Sequence, residues 1–290
     1  MIYICVRITQ NILIMLLLNL DADFSPIAGT AIAHKSFTFS GGEPHIKIET
    51  GFDVSQTVTI THRLKSFNGL GLLCVAVDAL KRMGVTKIDL FIPYFPAARQ
   101  DRVMIPGEPL SVKVYADIIN AMNLQKVTVL DPHSEVTPAL LNNCETIANY
   151  NFIEEVLKQI GSNVKLISPD GGALKKIYKL SEYLGGMEVT ECSKSRDVKT
   201  GKLSGFRVYE DDLKGTDCLI VDDICDGGGT FVGLAEALKA KNSGKLYLAV
   251  THGIFNKGFE VFDGYFEKIF TTNSFTDFDT DKVEQIKITL

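Results

Sequence analysis

Cys218-Leu219-Ile220-Val221-Asp222-Asp223-Ile224-Cys225-Asp226-Gly227-Gly228-Gly229-Thr230 runs from four apolar residues through an acid pair and a third acid to three glycines and a threonine. The apolar start marks a strand buried on both faces of a parallel sheet. Phe231, Leu234, Ala235 and Leu238, at helical spacing, mark the helix that follows. A strand, a glycine turn and a helix in that order build an anion cradle. The glycines turn tightly, several N–H groups point inward, and the helix N-terminus adds its positive dipole end. The pattern predicts a phosphate held by Asp226, Gly227, Gly228, Gly229 and Thr230, with Asp222 and Asp223 placed for sugar hydroxyls or metal-bound water. A glycine-rich turn with an Asp N-cap would account for the glycines but not for the adjacent acid pair.

Outward from this run, strands and helices alternate. Leu70, Leu73, Cys74, Val77 and Leu80 recur at helical spacing up to Gly84, and residues 88–92 read as a strand ended by Pro93. A helix follows Pro109, with Leu110, Val114, Ile118 and Met122 on one face, and residues 127–130 are the next strand. The second half repeats the theme: helix 152–160, strand 164–168, helix 174–184, strands 187–192 and 246–250; upstream, 46–49 and 57–62 also read as strands. Uniformly apolar strands separated by helices predict an α/β fold with mostly parallel sheets covered on both faces. At roughly 150 residues per domain, the 290 residues make two αβ halves, 15–150 and 151–290. Ligands in such sheets sit beyond the carboxyl ends of the strands. Asp131, His133 and Asp170 each follow an apolar run, so they can converge at one sheet edge.

Residues 12–20 form an apolar run that reads as a buried strand, although Arg7 before it and Ala31-Ile32-Ala33 after it imitate a signal peptide. The run is too short to span a bilayer, and no other stretch approaches that length. Met15 is a candidate start, which leaves 1–14 as an extension of no assigned role. With 30 basic against 35 acidic side chains, the net charge of −5 argues against gripping nucleic acid. It leaves room for a small phosphorylated ligand held by local groups. Cys5, Cys74, Cys144, Cys192, Cys218 and Cys225 are scattered without a C-x-x-C pair. They read as buried free thiols of a reducing, cytoplasmic compartment rather than disulfides or a zinc site.

The loop over 222–230 closely resembles the phosphoribosyl-binding motif of type I phosphoribosyltransferases and of ribose-phosphate pyrophosphokinases. Other segments resemble the pyrophosphokinases in particular. Pro93-Tyr94-Phe95-Pro96-Ala97-Ala98-Arg99-Gln100-Asp101-Arg102 is similar to their P-Y-x-x-x-A-R-Q-D-R, and Glu108-Pro109-Leu110-Ser111-Val112-Lys113 to the helix start that follows. Asp131-Pro132-His133 stands for D-L-H, and Ser168-Pro169-Asp170-Gly171-Gly172 is similar to S-P-D-x-G-G. Phe39-Ser40-Gly41-Gly42-Glu43 approximates F-x-D-G-E, and Thr251-His252 stands for T-H after a strand. These six motifs and the loop hold their order and spacing from about Leu16 to Leu290.

The resemblance implies two phosphoribosyltransferase-like domains, each a mostly parallel sheet flanked by helices. It also implies a diphosphotransferase, moving the β,γ-diphosphoryl group of Mg²⁺-ATP to ribose 5-phosphate and releasing AMP. By the same resemblance Phe39, Glu43, Arg99, Gln100 and Asp101 bind ATP, and Asp131, His133 and Asp170 serve the Mg²⁺. Lys194, Arg196 and His133 act on the transferring group, while the 222–230 loop takes the sugar phosphate. Arg99 suits phosphate through its planar fork, and Gln100 both donates and accepts. A homo-oligomer with shared ATP sites is implied as well. A phosphoribosyltransferase would have no use for the A-R-Q-D-R segment, and a non-catalytic relative need not keep His133, Asp170, Lys194 and Arg196.

Departures from the family pattern bear on the substrate. Gly227 stands where a hydroxyl residue follows the third Asp, which removes a donor to the sugar 5-phosphate and permits a further group on it, as in ADP-ribose. Val103-Met104-Ile105-Pro106-Gly107 replaces a basic run, which weakens the implied phosphate-sensitive regulation. Gly41 replaces the Asp of F-x-D-G-E, and Asn142 and Thr146 occupy places of a further acid pair. The stretch between the first strand and Phe39 is short for the family, which predicts a missing helix.

Overall fold

A computed structural model describes residues 15–196 and 203–290, without the side chains of residues 195, 196, 203 and 204; residues 1–14, with Cys5, lie outside the described residues. The first half contains β1 (Leu16–Asn19), β2 (Thr30–Ala31), β3 (His34–Thr38), β4 (Pro44–Ile48), β5 (Val58–Thr61), α1 (Phe67–Arg82), β6 (Ile88–Ile92), α2 (Ser111–Ala121), β7 (Lys126–Leu130), α3 (Val136–Leu140) and β8 (Cys144–Ile147). The second contains α4 (Tyr150–Ile160), β9 (Lys165–Ser168), α5 (Leu174–Tyr183), β10 (Val189–Arg196), β11 (Leu203–Val208), β12 (Cys218–Cys225), α6 (Gly229–Ala240), β13 (Leu246–Gly253), β14 (Lys268–Thr272) and β15 (Glu284–Ile286). Each half has its own sheet: β2-β1-β5-β6-β7-β8 and β11-β10-β9-β12-β13-β14-β15. The first is parallel throughout, and the second is parallel except for the β10–β11 pair. The α/β fold with mostly parallel sheets read from the sequence is the observed one.

Local chemistry explains the elements that aim the site. Ser66 caps α1 by accepting from the Gly69 N–H at 3.2 Å, and Gly84, at φ +98°, ends it in the left-handed region. Leu70, Leu73, Ala76, Val77 and Leu80 face the first core. The β3–β4 hairpin is an antiparallel sheet of its own, laying Ile46 and Ile48 into that core. No helix stands between β1 and β3, in keeping with the short connection. The strand read over 12–20 occupies only Leu16–Asn19 among the described residues.

Two features differ from the sequence reading. The face of α2 that is buried consists of Val112, Tyr115, Ala116 and Ile119, while Val114 is 43% exposed. A stripe of every fourth residue drifts about 40° per step around a helix, so Leu110, Val114, Ile118 and Met122 do not share one narrow face. β12 also runs on past its apolar start to Cys225, because β13 continues beside it, with Asp222 opposite Val250 and Ile224 opposite His252. The acid pair therefore lies inside the strand end rather than in the loop after it.

The halves meet along the carboxyl ends of their strands. Phe24, Phe91 and Leu130 form a small core against which Ile288 packs, and the Leu290 N–H donates to the Pro26 carbonyl at 2.8 Å. The end of the chain thus returns to the first half. Arg63, buried under Phe24, ion-pairs with both Asp23 and Asp277 across the same seam.

The described cysteines are all free thiols. Burial pushes Cys192 and Cys218 up to about 12, so roughly 10⁻⁴ of each is thiolate at pH 8. At that pH a maleimide is expected to label half-buried Cys74 and Cys144 well ahead of Cys192 and Cys218, as peptide mapping would read. Equal labelling of all four in the native chain would contradict this packing.

Candidate active site

The cleft between the halves gathers chemistry from the ends of β7, β9, β10, β12 and β13. His133, just past β7, places Nδ1 2.7 Å from Oδ2 of Asp223 in β12, joining the two halves. With Nδ1 turned to that carboxylate, Nε2 is the ring nitrogen left for a ligand. Asp222 accepts the Asp223 N–H at 2.9 Å. Burial and the adjacent Asp223 charge push the Asp222 carboxyl well up. Burial alone would raise Asp223 too, but the His133 bond and the Lys176 charge outweigh it and hold Asp223 below the usual carboxylate range. The charge of the pair therefore resides on Asp223.

Asp131 sits at φ +40°, a left-handed conformation that Asp tolerates better than most residues, and is 4% exposed. Its Oδ1 accepts from Lys176 Nζ at 3.0 Å and its Oδ2 from Thr251 Oγ1 at 2.5 Å. Lys176 also donates to the Pro132 carbonyl at 2.6 Å. Burial would lower the Lys176 pKa, but the Asp131 and Asp223 charges outweigh it and raise it. Beside Thr251, His252 Nε2 donates to the Leu130 carbonyl at 3.1 Å and Nδ1 lies 2.8 Å from Ser274 Oγ. Burial lowers its pKa, which keeps the ring neutral. The Tyr94 ring packs edge-on against His252 and Phe275.

Asp170, after β9, accepts from the N–H groups of Gly172 and Ala173 at 2.8 and 3.0 Å, and its other oxygen holds Lys194 Nζ at 2.5 Å. Burial would raise this carboxyl, but the Lys194 ion pair outweighs it and lowers it. Arg99 crosses the cleft to Asp226, Nη2 to Oδ2 at 2.5 Å. In the glycine loop, Gly228 takes φ +77° and faces the Phe262 ring, so a Cβ there would strike the ring. This conformation lets α6 begin at Gly229 with its N-terminus open beside Asp226.

The fold thus unites His133, Asp223, Asp222, Asp131, Arg99 and Asp226, with Asp170 and Lys194 as a neighbouring pair. It does not bring in every residue singled out above. Asp101 is buried and already engaged: Arg102 and Ser134 bind its carboxylate, with the Arg102 bond chiefly lowering its pKa. Gln100 is exposed beside Arg99. Phe39, 52% exposed, and Glu43 stand at the β3–β4 turn, where Phe39 packs on Phe37 and His45 with ring centroids 4.9 and 5.6 Å away. None of the contacts that knit the cleft reaches them. Arg196 ends β10, and its side chain lies outside the described residues.

Lys176 is a site residue that motif reading passes over. Its signal is Lys175-Lys176 in the first turn of α5, where the helix dipole disfavours cations. A lysine there needs a carboxylate elsewhere to hold it.

A family model for the N-terminal domain of ribose phosphate pyrophosphokinase matches residues 27–122, and a phosphoribosyl transferase domain model matches residues 138–275. The ribose-phosphate pyrophosphokinase of Thermococcus kodakarensis is 30% identical over 223 residues, covering 76% of this chain and 77% of that one. The chain belongs to the ribose-phosphate pyrophosphokinase family. The ribose-phosphate pyrophosphokinase of Mycoplasmopsis pulmonis is 28% identical over 225 residues, 76% of this chain and 70% of its own length. The crystal structure of phosphoribosylpyrophosphate synthetase from Mycobacterium smegmatis shares the fold, with a TM-score of 0.76 at 21% identity, over 90% of this chain and 87% of that one. Among the described residues no helix is long and apolar enough to cross a membrane.

Proposed function

We propose that this chain transfers the β,γ-diphosphoryl group of Mg²⁺-ATP to the anomeric hydroxyl of ribose 5-phosphate, giving AMP and 5-phosphoribosyl 1-diphosphate. The observation that carries the reading is the His133–Asp223 contact at 2.7 Å, which joins the nucleotide-side motif of one half to the sugar-side motif of the other. Such a transfer needs little covalent help; positioning and charge neutralisation at phosphate oxygens supply most of the catalysis.

In this reading the glycine loop and the α6 N-terminus hold the sugar 5-phosphate, and Asp222 and Asp223 take its hydroxyls. Asp223 also fixes the His133 ring, whose Nε2 meets ATP. Arg99 and Gln100 grip the nucleotide phosphates, and Lys194 and Arg196 neutralise the group in transit. Exposed Phe39 and Glu43 take adenine against a second copy, so a homo-oligomer is part of the reading.

The donors suit a magnesium ion that arrives on phosphate. Among the described residues no three His, Cys, Asp or Glu side chains converge as a metal cage. Mg²⁺ characteristically takes one or two carboxylates and completes its shell with phosphate and water. Asp170 would supply that carboxylate, and His133 would meet the ion's phosphate. The ion would lower the charge on the transferring phosphate oxygens. Asp131, whose side chain is 5% exposed against 22% for Asp170 and whose partners Lys176 and Thr251 both belong to the other half, is in our reading a tie between the halves rather than a ligand.

Gly227 permits a second acceptor, ADP-ribose, because the residue after Asp226 offers no hydroxyl to a 5-phosphate monoester. The test is to incubate the protein with Mg²⁺, ATP and either sugar, and to quantify AMP. The expected result is AMP that depends on ribose 5-phosphate. AMP formed without any sugar would sink the transfer reading, and AMP only with ADP-ribose would replace the acceptor.

A further inference from the structure

Gly227 is pressed against a turn that the proposed chemistry leaves unused. The Asn256 N–H donates to the Asp226 carbonyl at 3.1 Å, docking the turn on the loop. A Cβ at position 227 would lie 3.2 Å from Asn256 Oδ1 and 3.4 Å from both Cδ and Cε of Lys257. The stem of Lys257 therefore lies along the direction in which a side chain at 227 would point. A side chain longer than a methyl group would press on that stem.

The turn is firmly based. Phe255 precedes it, buried at 5%, with its ring among Phe259, Phe262 and Phe278 at centroid distances of 4.7, 5.8 and 5.6 Å. Phe262 is the same ring that faces Gly228. One aromatic cluster thus sets both the phosphate loop and the turn that carries Lys257. Other lysines on this side of the second half are engaged: Lys282 by Asp263 and Lys239 by the Gly264 carbonyl. Among the described residues Lys257 has no carboxylate partner.

What the loop itself offers an anion, N–H groups, the Thr230 hydroxyl and a helix dipole, amounts to partial charges. Arg99, whose guanidinium reaches this loop, is paired with Asp226. A terminal sugar phosphate brings more negative charge than these neutralise, and an ammonium on a flexible stem is a point charge that can follow it.

We propose that Lys257 is a further binding residue for the 5-phosphate of the sugar in the 226–230 loop, with Gly227 as the matched residue that admits its stem. The inference rests on the sugar-phosphate assignment of that loop made above. It makes Gly227 the partner of a cation rather than a lost donor.

The test is direct binding by calorimetry without ATP, with ribose 5-phosphate and ADP-ribose as separate arms, since both present phosphate oxygens at this position. In the arm that binds wild type, Lys257→Ala is expected to raise Kd about tenfold, and Lys257→Arg to retain most of the affinity. Gly227→Thr alone should also weaken binding by displacing the lysine stem. Adding Gly227→Thr to Lys257→Ala should recover part of the loss, because a hydroxyl then takes the vacated path. An unchanged Kd in Lys257→Ala, with a native circular dichroism spectrum, would overturn the proposal. Wild type that binds a sugar phosphate without forming AMP overturns the reaction but not the role of Lys257; wild type that binds neither sugar overturns both.

Discussion

Replacing Lys194 by Ala is expected to lower the rate of AMP formation by ~10²–10³-fold while leaving the chain folded. Lys194 lies two residues before the end of β10, 2.5 Å from Asp170 across the β9–β10 edge. Lys176 is committed to both Asp131 and the Pro132 carbonyl, whereas among the described residues Lys194 has Asp170 alone as partner. Removing an ammonium that acts mainly on the transition state should lower kcat with little change in KM for either substrate. The structural cost is small, because Asp170 keeps the N–H groups of Gly172 and Ala173. Loss of one partly solvated ion pair costs about 1 kcal/mol. Stopped assays on the variant, with a urea midpoint measured in parallel, separate the effects. A wild-type kcat would remove Lys194 from the proposed machinery, whereas a collapsed midpoint would assign it to the fold.

The strands that were legible in the sequence are those buried on both faces, such as β6 and β13, whose apolar runs leave no alternative. Half-polar edge strands were not: β8 reads Cys-Glu-Thr-Ile, with no residue fully buried. The buried face of α2 is not legible in the sequence because apolar residues surround much of that short helix. Packing decides its orientation, with Phe67 stacked on Tyr115 at 4.6 Å. At the site, residue types were readable but their partners were not. His133 and Asp223 are 90 residues apart, Asp131 and Thr251 are 120 apart, and Arg99 and Asp226 are 127 apart. Nothing local links such pairs. They meet because strands of two separate sheets end at one seam. Asp131 shows the consequence: a carboxylate after a strand suggests a ligand, and only the tertiary fold reveals that a lysine and a threonine of the other half already hold it.

Asp131→Ala is accordingly expected to destabilise the chain by about 3 kcal/mol, and the sum has identifiable parts. Thr251, fully buried, would lose the acceptor of its hydroxyl proton, worth ~1–3 kcal/mol. Alanine in the left-handed region at φ +40° adds about 1 kcal/mol. Lys176 contributes less, since its side chain is 41% exposed and keeps the Pro132 carbonyl, so solvent screens most of the lost attraction. Asp131→Asn separates these parts. Its amide oxygen still accepts from Thr251 and asparagine tolerates the left-handed backbone, but its NH2 then faces the Lys176 ammonium, donor against donor, so Lys176 must turn toward solvent and the loss should stay near 1 kcal/mol. Urea midpoints at constant m-value read both variants. A tie between the halves predicts that activity follows the folded fraction, with Asp131→Asn nearly as active as wild type. If instead Asp131→Asn keeps its midpoint but loses turnover and Mg²⁺ dependence, the carboxylate is a ligand of the reacting complex. The Lys176 and Thr251 contacts would then have to open when substrate binds.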